Sequence, residues 1–377
     1  MKKTWKHIGK TGLIHGLFPL LYKWYARKPI RQNRVLFLEI RYTELTNNFT
    51  LLYEEFGRRE KFTVDTSFLG NSVFSYREYV RACIRMLRKL AMAQYVFVNE
   101  SSNVLAALPL REDTKLIQTW HGCGAFKRFG YAGVNAPQEP YYNSYLFTTV
   151  SSPEVIGIYA QSMGQAPDTI LPLGVSRTDV YFDSDYVASC EVKIRSRYGI
   201  EAHKQILLYA PTFRGNVQNA QSPRLLRIEK LYRKLGESYV ILYKGHPAVR
   251  TTVDIPEAFA DFFMDVSSEP IEPLLCAASA CITDYSSLIF EYSLLGRPMF
   301  FYAYDYKEYV TERGFYYPYD TFVPGKICYT EEELMEGILQ EQEEQMIKVE
   351  QFRKRFMCSC DGHATQRIIE TMLEKCG

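Results

Sequence analysis

No acidic residue occurs before Glu39, so the first 38 residues carry charge of one sign only. No long apolar run exists either. The nearest is Leu13-Ile14-His15-Gly16-Leu17-Phe18-Pro19-Leu20-Leu21-Tyr22, interrupted by Pro19. That is short of the ~20 residues a spanning helix needs, and no small-residue cleavage site follows, which argues against a signal peptide. Paired CxxC spacing is missing. The nine cysteines are Cys83, Cys123, Cys190, Cys276, Cys281, Cys328, Cys358, Cys360 and Cys376. Scattered and odd in number, they make a poor disulfide framework and a poor zinc site. The expectation is a reducing cytoplasm with most cysteines as small core residues. Cys358-Ser359-Cys360 is the one spacing that would suit a metal or redox pair. GxxxxGK[ST], HExxH and GxSxG are absent, and Gly122-Cys123-Gly124 lacks the third glycine of a dinucleotide loop. P-loop ATPase, zincin, lipase and dehydrogenase readings therefore lack their signatures. Excess charge is missing too: 45 basic against 43 acidic residues leave +2, which argues against a nucleic-acid partner.

What is present is a chain of 377 residues, 47% apolar and 23% charged. Wholesale disorder is excluded, and about two domains are expected. Aromatic residues reach 15%, favouring extensive interfaces or a substrate cleft. Lys2, Lys3, Lys6, Lys10, Lys23, Arg27, Lys28, Arg31 and Arg34 flank the short apolar run and Trp24-Tyr25. Such a segment suits an interfacial anchor on an anionic membrane, or a helix packed on the protein's own body. Arg77, Arg81, Arg85 and Arg88 recur at spacings of four, four and three. On a helix they share one face, with Tyr79, Cys83, Met86, Leu87 and Leu90 turned elsewhere. Lipid headgroups or a polyanionic acceptor would suit that stripe, and so would plain solvent.

Short apolar runs alternate with helical patterns. Strands are expected at 35–38, 95–98, 115–120, 146–150, 169–173, 205–210, 239–244, 280–283 and 298–302. Helices are expected from 48, and at 153–163, 225–235, 271–278, 286–295 and 331–356. Alternation of this kind implies parallel α/β sheets, here two Rossmann-like domains. The boundary falls between Arg177 and Tyr198. The assigned segments are 1–34 (basic, membrane-associating), 35–185, 186–345 and a C-terminal helix in 346–377.

Ligands of doubly wound domains bind beyond the carboxyl ends of strands, and unusual polar residues stand there. Trp120-His121-Gly122 ends one strand. Pro211-Thr212-Phe213-Arg214-Gly215, Lys244-Gly245-His246-Pro247 and Asp284-Tyr285-Ser286-Ser287 end three others. The last precedes a helix, where free N–H groups and two hydroxyls could grip a phosphate or merely cap the helix. His246, Lys244, Arg214 and Arg313 are candidate partners for phosphoryl oxygens. His121 is the candidate general base, since an imidazole titrates near neutral pH. Each alone is as readily structural.

Together these segments resemble the CDP-glycerol glycerophosphotransferase family, the teichoic acid primases and polymerases. The matching stretches are Gln118-Thr119-Trp120-His121-Gly122 with Lys127 and Gly130, and Gly174-Val175-Ser176-Arg177-Thr178-Asp179. Tyr209-Ala210-Pro211-Thr212-Phe213-Arg214 and Lys244-Gly245-His246-Pro247 follow. Then come Ile282-Thr283-Asp284-Tyr285-Ser286-Ser287 with Phe290-Glu291-Tyr292 and Arg297-Pro298, and Glu312-Arg313-Gly314-Phe315-Tyr316. Order and spacing fit from about residue 35 to residue 330. Departures are Cys123-Gly124-Ala125-Phe126-Lys127 where the family usually has Thr-Pro-Leu-Lys, Phe213 for Trp, and Glu291 for Asp.

The resemblance implies a GT-B-like α/β architecture: two Rossmann-like domains, acceptor then donor, with a deep interdomain cleft and a C-terminal helix crossing back. It implies a CDP-glycerol or CDP-ribitol donor and a lipid-linked saccharide acceptor whose hydroxyl attacks the β-phosphorus, releasing CMP. His121 would act as base, while His246 and Arg313 stabilise phosphoryl charge. Thr212, Arg214, Lys244, Asp284, Ser286, Ser287, Gly122 and Lys127 would bind substrate. Glu291 would hold ribose hydroxyls or stand as a helix-surface acid. Trp24 and the four arginines would face the membrane or acceptor. No DxD-like pair stands beside the phosphate motifs, so no tightly held metal or cofactor is expected. The expected location is peripheral, on the cytoplasmic face of the cell membrane. Rival readings are a GT-B glycosyltransferase using a nucleotide sugar and an inactive membrane-surface binding protein.

Overall fold

The computed structural model describes residues 11–376 apart from 72, 135, 138–140, 216–218, 250–252 and 341, and only the backbone of 312, 313 and 342. Lys2, Lys3, Lys6 and Lys10, and the side chain of Arg313, therefore lie outside the described residues. The chain forms two units. The first holds the residues up to Cys123, then Phe129–Asp179, then the chain from Ser359. The second holds Gly124–Arg128 and Val180–Cys358.

In the first unit, β1 (Arg34–Glu39), β2 (Thr63–Phe68), β3 (Tyr95–Val98), β4 (Lys115–Gln118), β5 (Phe147–Thr149) and β6 (Ile170–Leu171) form one sheet. Its order is β2-β1-β3-β4-β5-β6, and every pair is parallel. A parallel sheet needs cover on both faces, and the β1 and β3 side chains alternate accordingly. Leu36, Leu38, Val96 and Val98 pack with Cys83, Met86, Leu87 and Leu90 of helix Tyr76–Leu90. Val35, Phe37, Tyr95 and Phe97 pack with Phe49, Leu52 and Phe56 of helix Asn47–Arg58 and with Ile368, Ile369 and Met372 of helix Ala364–Glu374. Ser75 and Glu78 form a capping box that starts helix Tyr76–Leu90, satisfying N–H groups that the first turn leaves free.

The motif Gly174–Asp179 anchors the C-terminal helix. Asp179 accepts the Ala364 and Thr365 amides at 3.0 and 2.8 Å. Gly174 has φ +89°, and a Cβ there would meet the Ser359 carbonyl oxygen at 2.3 Å. The N-terminal segment is half packed and half exposed. Ile14, Phe18 and Tyr22 join the core against helix Tyr76–Leu90. Leu17, Leu20 and Trp24 stand exposed on the other face.

In the second unit, β7 (Gln205–Tyr209), β8 (Tyr239–Tyr243), β9 (Phe263–Asp265), β10 (Ala280–Thr283), β11 (Met299–Tyr302) and β12 (Lys326–Cys328) form a sheet ordered β12-β11-β10-β7-β8-β9. All its pairs are parallel. Strands β2, β9 and β12 were not expected from the sequence. Each is an outer strand, short or polar, with little apolar pattern to read. In β2, Asp65 binds Arg34 at 2.5 Å and Lys89 at 2.7 Å. Burial opposes ionisation of Asp65, but those hydrogen bonds win and hold its carboxyl below the usual range.

The expected helix 331–356 is two helices, Glu331–Gln340 and Gln342–Phe356. Leu334, Met335 and Ile338 are buried on the first, and Val349, Phe352 and Phe356 on the second. Leu339, Met346 and Ile347 between them are exposed, so no single apolar stripe runs through both.

Candidate functional site

Each sheet has one place where the strand order reverses. In the first unit it lies between β1 and β3, with β2 outside β1. In the second it lies between β7 and β10. Crevices beyond the carboxyl ends of strands at such switch points are where doubly wound sheets bind ligands.

The first switch point carries charged residues that sequence reasoning passed over. Arg41 follows β1, and Asn99-Glu100 follows β3. Glu39, at the end of β1, is fully buried. It accepts from the Thr46 amide at 2.8 Å, the Thr46 hydroxyl, and Asn99 Nδ2 at 2.9 Å. Burial pushes its carboxyl up, against those hydrogen bonds. Glu100 is 8% exposed, and Arg41 grips both its oxygens, Nε to Oε1 at 2.9 Å and Nη2 to Oε2 at 3.0 Å. Burial raises the Glu100 carboxyl too, with Arg41 opposing.

His121 arrives at this place from the neighbouring strand, β4. The turn that delivers it is strained: Trp120 has φ +52°, a conformation costing most non-glycine residues of order 1 kcal/mol. The Trp120 amide donates to Gln118 Oε1 at 2.9 Å, and its ring stacks on Phe129 at 5.3 Å and lies 4.3 Å from the imidazole. His121 Nδ1 lies 3.8 Å from Glu100 Oε1. Burial, then the charges of Arg41 and Arg177, push the imidazole pKa down to about 3, against a hydrogen bond to the Asn99 backbone. The ring is 41% exposed, so water at that edge offsets part of the burial. Arg41 and Arg177 act in the same direction, and the imidazole is neutral at pH 7. Arg177 is itself buried, bonded to the Asn48 side-chain oxygen and to Cys123 Sγ. Nearby, the Gly122 carbonyl accepts from the Tyr159 hydroxyl at 3.3 Å.

The second switch point is organised by Asp284, 2% exposed. It accepts the Thr212 amide at 2.8 Å, the Thr212 hydroxyl, and the Tyr285 amide at 2.6 Å. Arg214 Nη1 meets Asp284 Oδ2 at 3.0 Å, and Arg214 Nε and Nη2 meet Asp305 at 2.5 and 3.0 Å. Burial would weaken the guanidinium, but the two carboxylates outweigh it and hold its charge more firmly than usual. The rings of Tyr285, Tyr304 and Tyr309 lie 5.3, 5.7 and 5.1 Å from the guanidinium. Arg214 and Asp284 thus brace the loop that carries Thr212, rather than projecting freely into a crevice.

His246 and Lys244 follow β8. His246 lies 4.6 Å from the Phe213 ring, and its Nδ1 accepts the Ala248 amide at 3.1 Å. A neutral His246 therefore carries its proton on Nε2. Lys244 Nζ donates to the Ser267 carbonyl at 2.5 Å, and burial lowers its pKa against nearby Asp265, Glu272 and Glu269. Ser287 stands at the N-cap position of helix Leu288–Ser293 without a side-chain capping bond, and Ser286 Oγ accepts the Leu288 amide at 3.4 Å. Glu291 is buried in that helix, which rules out the helix-surface acid. Lys127 Nζ lies 3.2 Å from the Tyr309 hydroxyl. Gly124, at φ +58°, lies against Phe290, and a Cβ there would come within 2.1 Å of the ring. The departure at 123–127 is therefore fitted to its own packing. Cys358 is exposed and Cys360 buried, both as free thiols.

Two doubly wound parallel units define a GT-B-like α/β fold, with clusters of charged and polar side chains at the switch point of each sheet. The family model for CDP-glycerol:poly(glycerophosphate) glycerophosphotransferase matches residues 20–374, and the chain belongs to that family. It is 33% identical over 365 residues to the teichoic acid poly(ribitol-phosphate) polymerase of Bacillus spizizenii, covering 95% of this chain and 59% of that protein. It is 31% identical over 378 residues to the teichoic acid ribitol-phosphate primase of the same organism, covering 96% of each. The chain thus spans less than two thirds of the polymerase and nearly all of the primase. A solved structure of the wall teichoic acid polymerase TagF shares the fold at TM-score 0.76 and 22% identity, over 100% of this chain and 97% of that one.

Proposed function

We propose that this chain is a CDP-alditol phosphotransferase of teichoic acid synthesis. It moves glycerol phosphate or ribitol phosphate from the CDP-alditol to a hydroxyl of a lipid-linked saccharide acceptor. The observation that carries the reading is His121: a neutral imidazole delivered by a strained turn to the strand-order switch of the first sheet. His121 takes the acceptor's hydroxyl proton. The acceptor oxygen bonds to the β-phosphorus, the bond from that phosphorus to the bridging oxygen breaks, and CMP leaves. The second unit supplies donor-holding groups: His246 through Nε2–H, the Thr212 loop braced by Asp284 and Arg214, Ser286, Ser287 and Lys244. Arg313 is assigned to the same task on its sequence motif alone. Such transfer depends mainly on positioning and charge stabilisation. The test is release of CMP on offering the donor and acceptor together.

The same reading places the enzyme on the cytoplasmic face of the membrane. No helix among the described residues is long and apolar enough to cross a membrane. Leu17, Leu20 and Trp24 are exposed at spacings of three and four, and Arg77, Arg81, Arg85 and Arg88 are exposed on the helix beneath. An apolar stripe beside a cationic one suits the interface of an anionic bilayer. Wild-type protein should co-sediment with phosphatidylglycerol vesicles and not with phosphatidylcholine vesicles, and Arg77/81/85/88→Gln should abolish binding. Equal binding by that variant would sink the assignment.

A further inference from the structure

We propose that Glu100, locked by Arg41, positions His121 and steadies the imidazolium that forms when the ring takes the acceptor's proton. The inference rests on His121 being the base, and adds the residues that make it one. Three observations carry it. First, Nδ1 faces Glu100 at 3.8 Å. With the proton on Nδ1, Nε2 keeps its lone pair for the acceptor. Second, the carboxylate cannot turn away, because Arg41 holds one oxygen with Nε and the other with Nη2. A fork of this kind fixes both distance and plane. Third, Glu100 is buried while Arg41 is 46% exposed. The arginine can meet solvent or a substrate anion while the glutamate stays beneath the ring.

The arrangement has a chemical purpose. Arg41 and Arg177 both disfavour a positive imidazole. A base in that field needs a nearby negative charge at the moment it becomes cationic. Glu100 supplies it through space across 3.8 Å, longer than the hydrogen bond by which the third member of a catalytic triad holds its histidine. Asn99 ties the same strand end to buried Glu39 at 2.9 Å, so the support is anchored in the sheet.

The test uses Glu100→Gln and Glu100→Asp in the full chain, with turnover followed by CMP release. Glu100→Gln keeps the shape and loses the charge. It should lower kcat by roughly 10–100-fold, part of the roughly 10²–10⁴-fold that a general base contributes, with the donor KM unchanged. Glu100→Asp should recover part of that loss. In a His121→Ala background, Glu100→Gln should cost nothing further, because its effect passes through the ring. Wild-type kcat in folded Glu100→Gln would overturn the inference, and so would a full repeat of the loss without His121. If His121→Ala alone were harmless, the base assignment itself would fail, and this inference with it.

Discussion

Replacing His121 with alanine is expected to lower turnover by roughly 10²–10⁴-fold, the range for loss of a general base. Donor affinity should stay near wild type, since the donor-holding groups assigned here belong to the second unit. The pH profile gives an independent check. Burial and the charges of Arg41 and Arg177 depress the free imidazole, so kcat/KM should show no descending limb near the ordinary imidazole value of about 6.5. The same depression has a sign for stability. Below about 6.5 an unfolded histidine takes up a proton that the folded one refuses, so stability falls as pH drops from there toward the folded value. A loss of less than tenfold in folded His121→Ala protein would remove His121 from the chemistry.

Asp284→Ala should produce the largest loss of stability. The variant strips three hydrogen-bond donors of their acceptor and leaves Arg214 with one carboxylate instead of two. Removing one partner of a buried, hydrogen-bonded ion pair typically costs about 3–5 kcal/mol. Asp305 still compensates part of the guanidinium charge, which favours the lower end. Urea unfolding should show a lower midpoint at unchanged slope. Asp284→Asn should fall between, keeping an acceptor oxygen for the loop amides but losing the charge. A midpoint within experimental scatter of wild type would show that Arg214 and the Thr212 loop do not depend on this carboxylate.

Much of the fold was legible because buried parallel strands read as unbroken apolar runs. Val35–Leu38, Tyr95–Val98 and Leu207–Tyr209 are buried on both faces, as short continuous apolar runs of that length suggest. The outer strands were illegible for the converse reason. Thr63–Phe68 is half-buried along most of its length and carries Asp65 for ion pairing, not apolar packing. His121 and His246 were legible as rare residues at strand ends. Glu100 and Arg41 were not, although each stands two residues beyond the end of a buried strand. Their importance comes from strand order, since β1 and β3 become neighbours only in the sheet. Arg214 and Asp284 were legible as charged residues at strand ends, but their pairing with each other was not. A sequence cannot show that two such residues 70 positions apart meet at 3.0 Å and satisfy each other. The N-terminal helix packs one face into the core through Phe18 and leaves the other open, with Leu20 at 66% exposure.

The central claim is tested most directly by offering the purified protein CDP-glycerol, CDP-ribitol and UDP-glucose, each with a lipid-linked disaccharide acceptor in detergent, and measuring the nucleotide released. The account predicts CMP from a CDP-alditol, dependent on acceptor and lost in His121→Ala and His246→Ala. UDP release from UDP-glucose, with no CMP from either CDP-alditol, would contradict it and make the chain a glycosyltransferase.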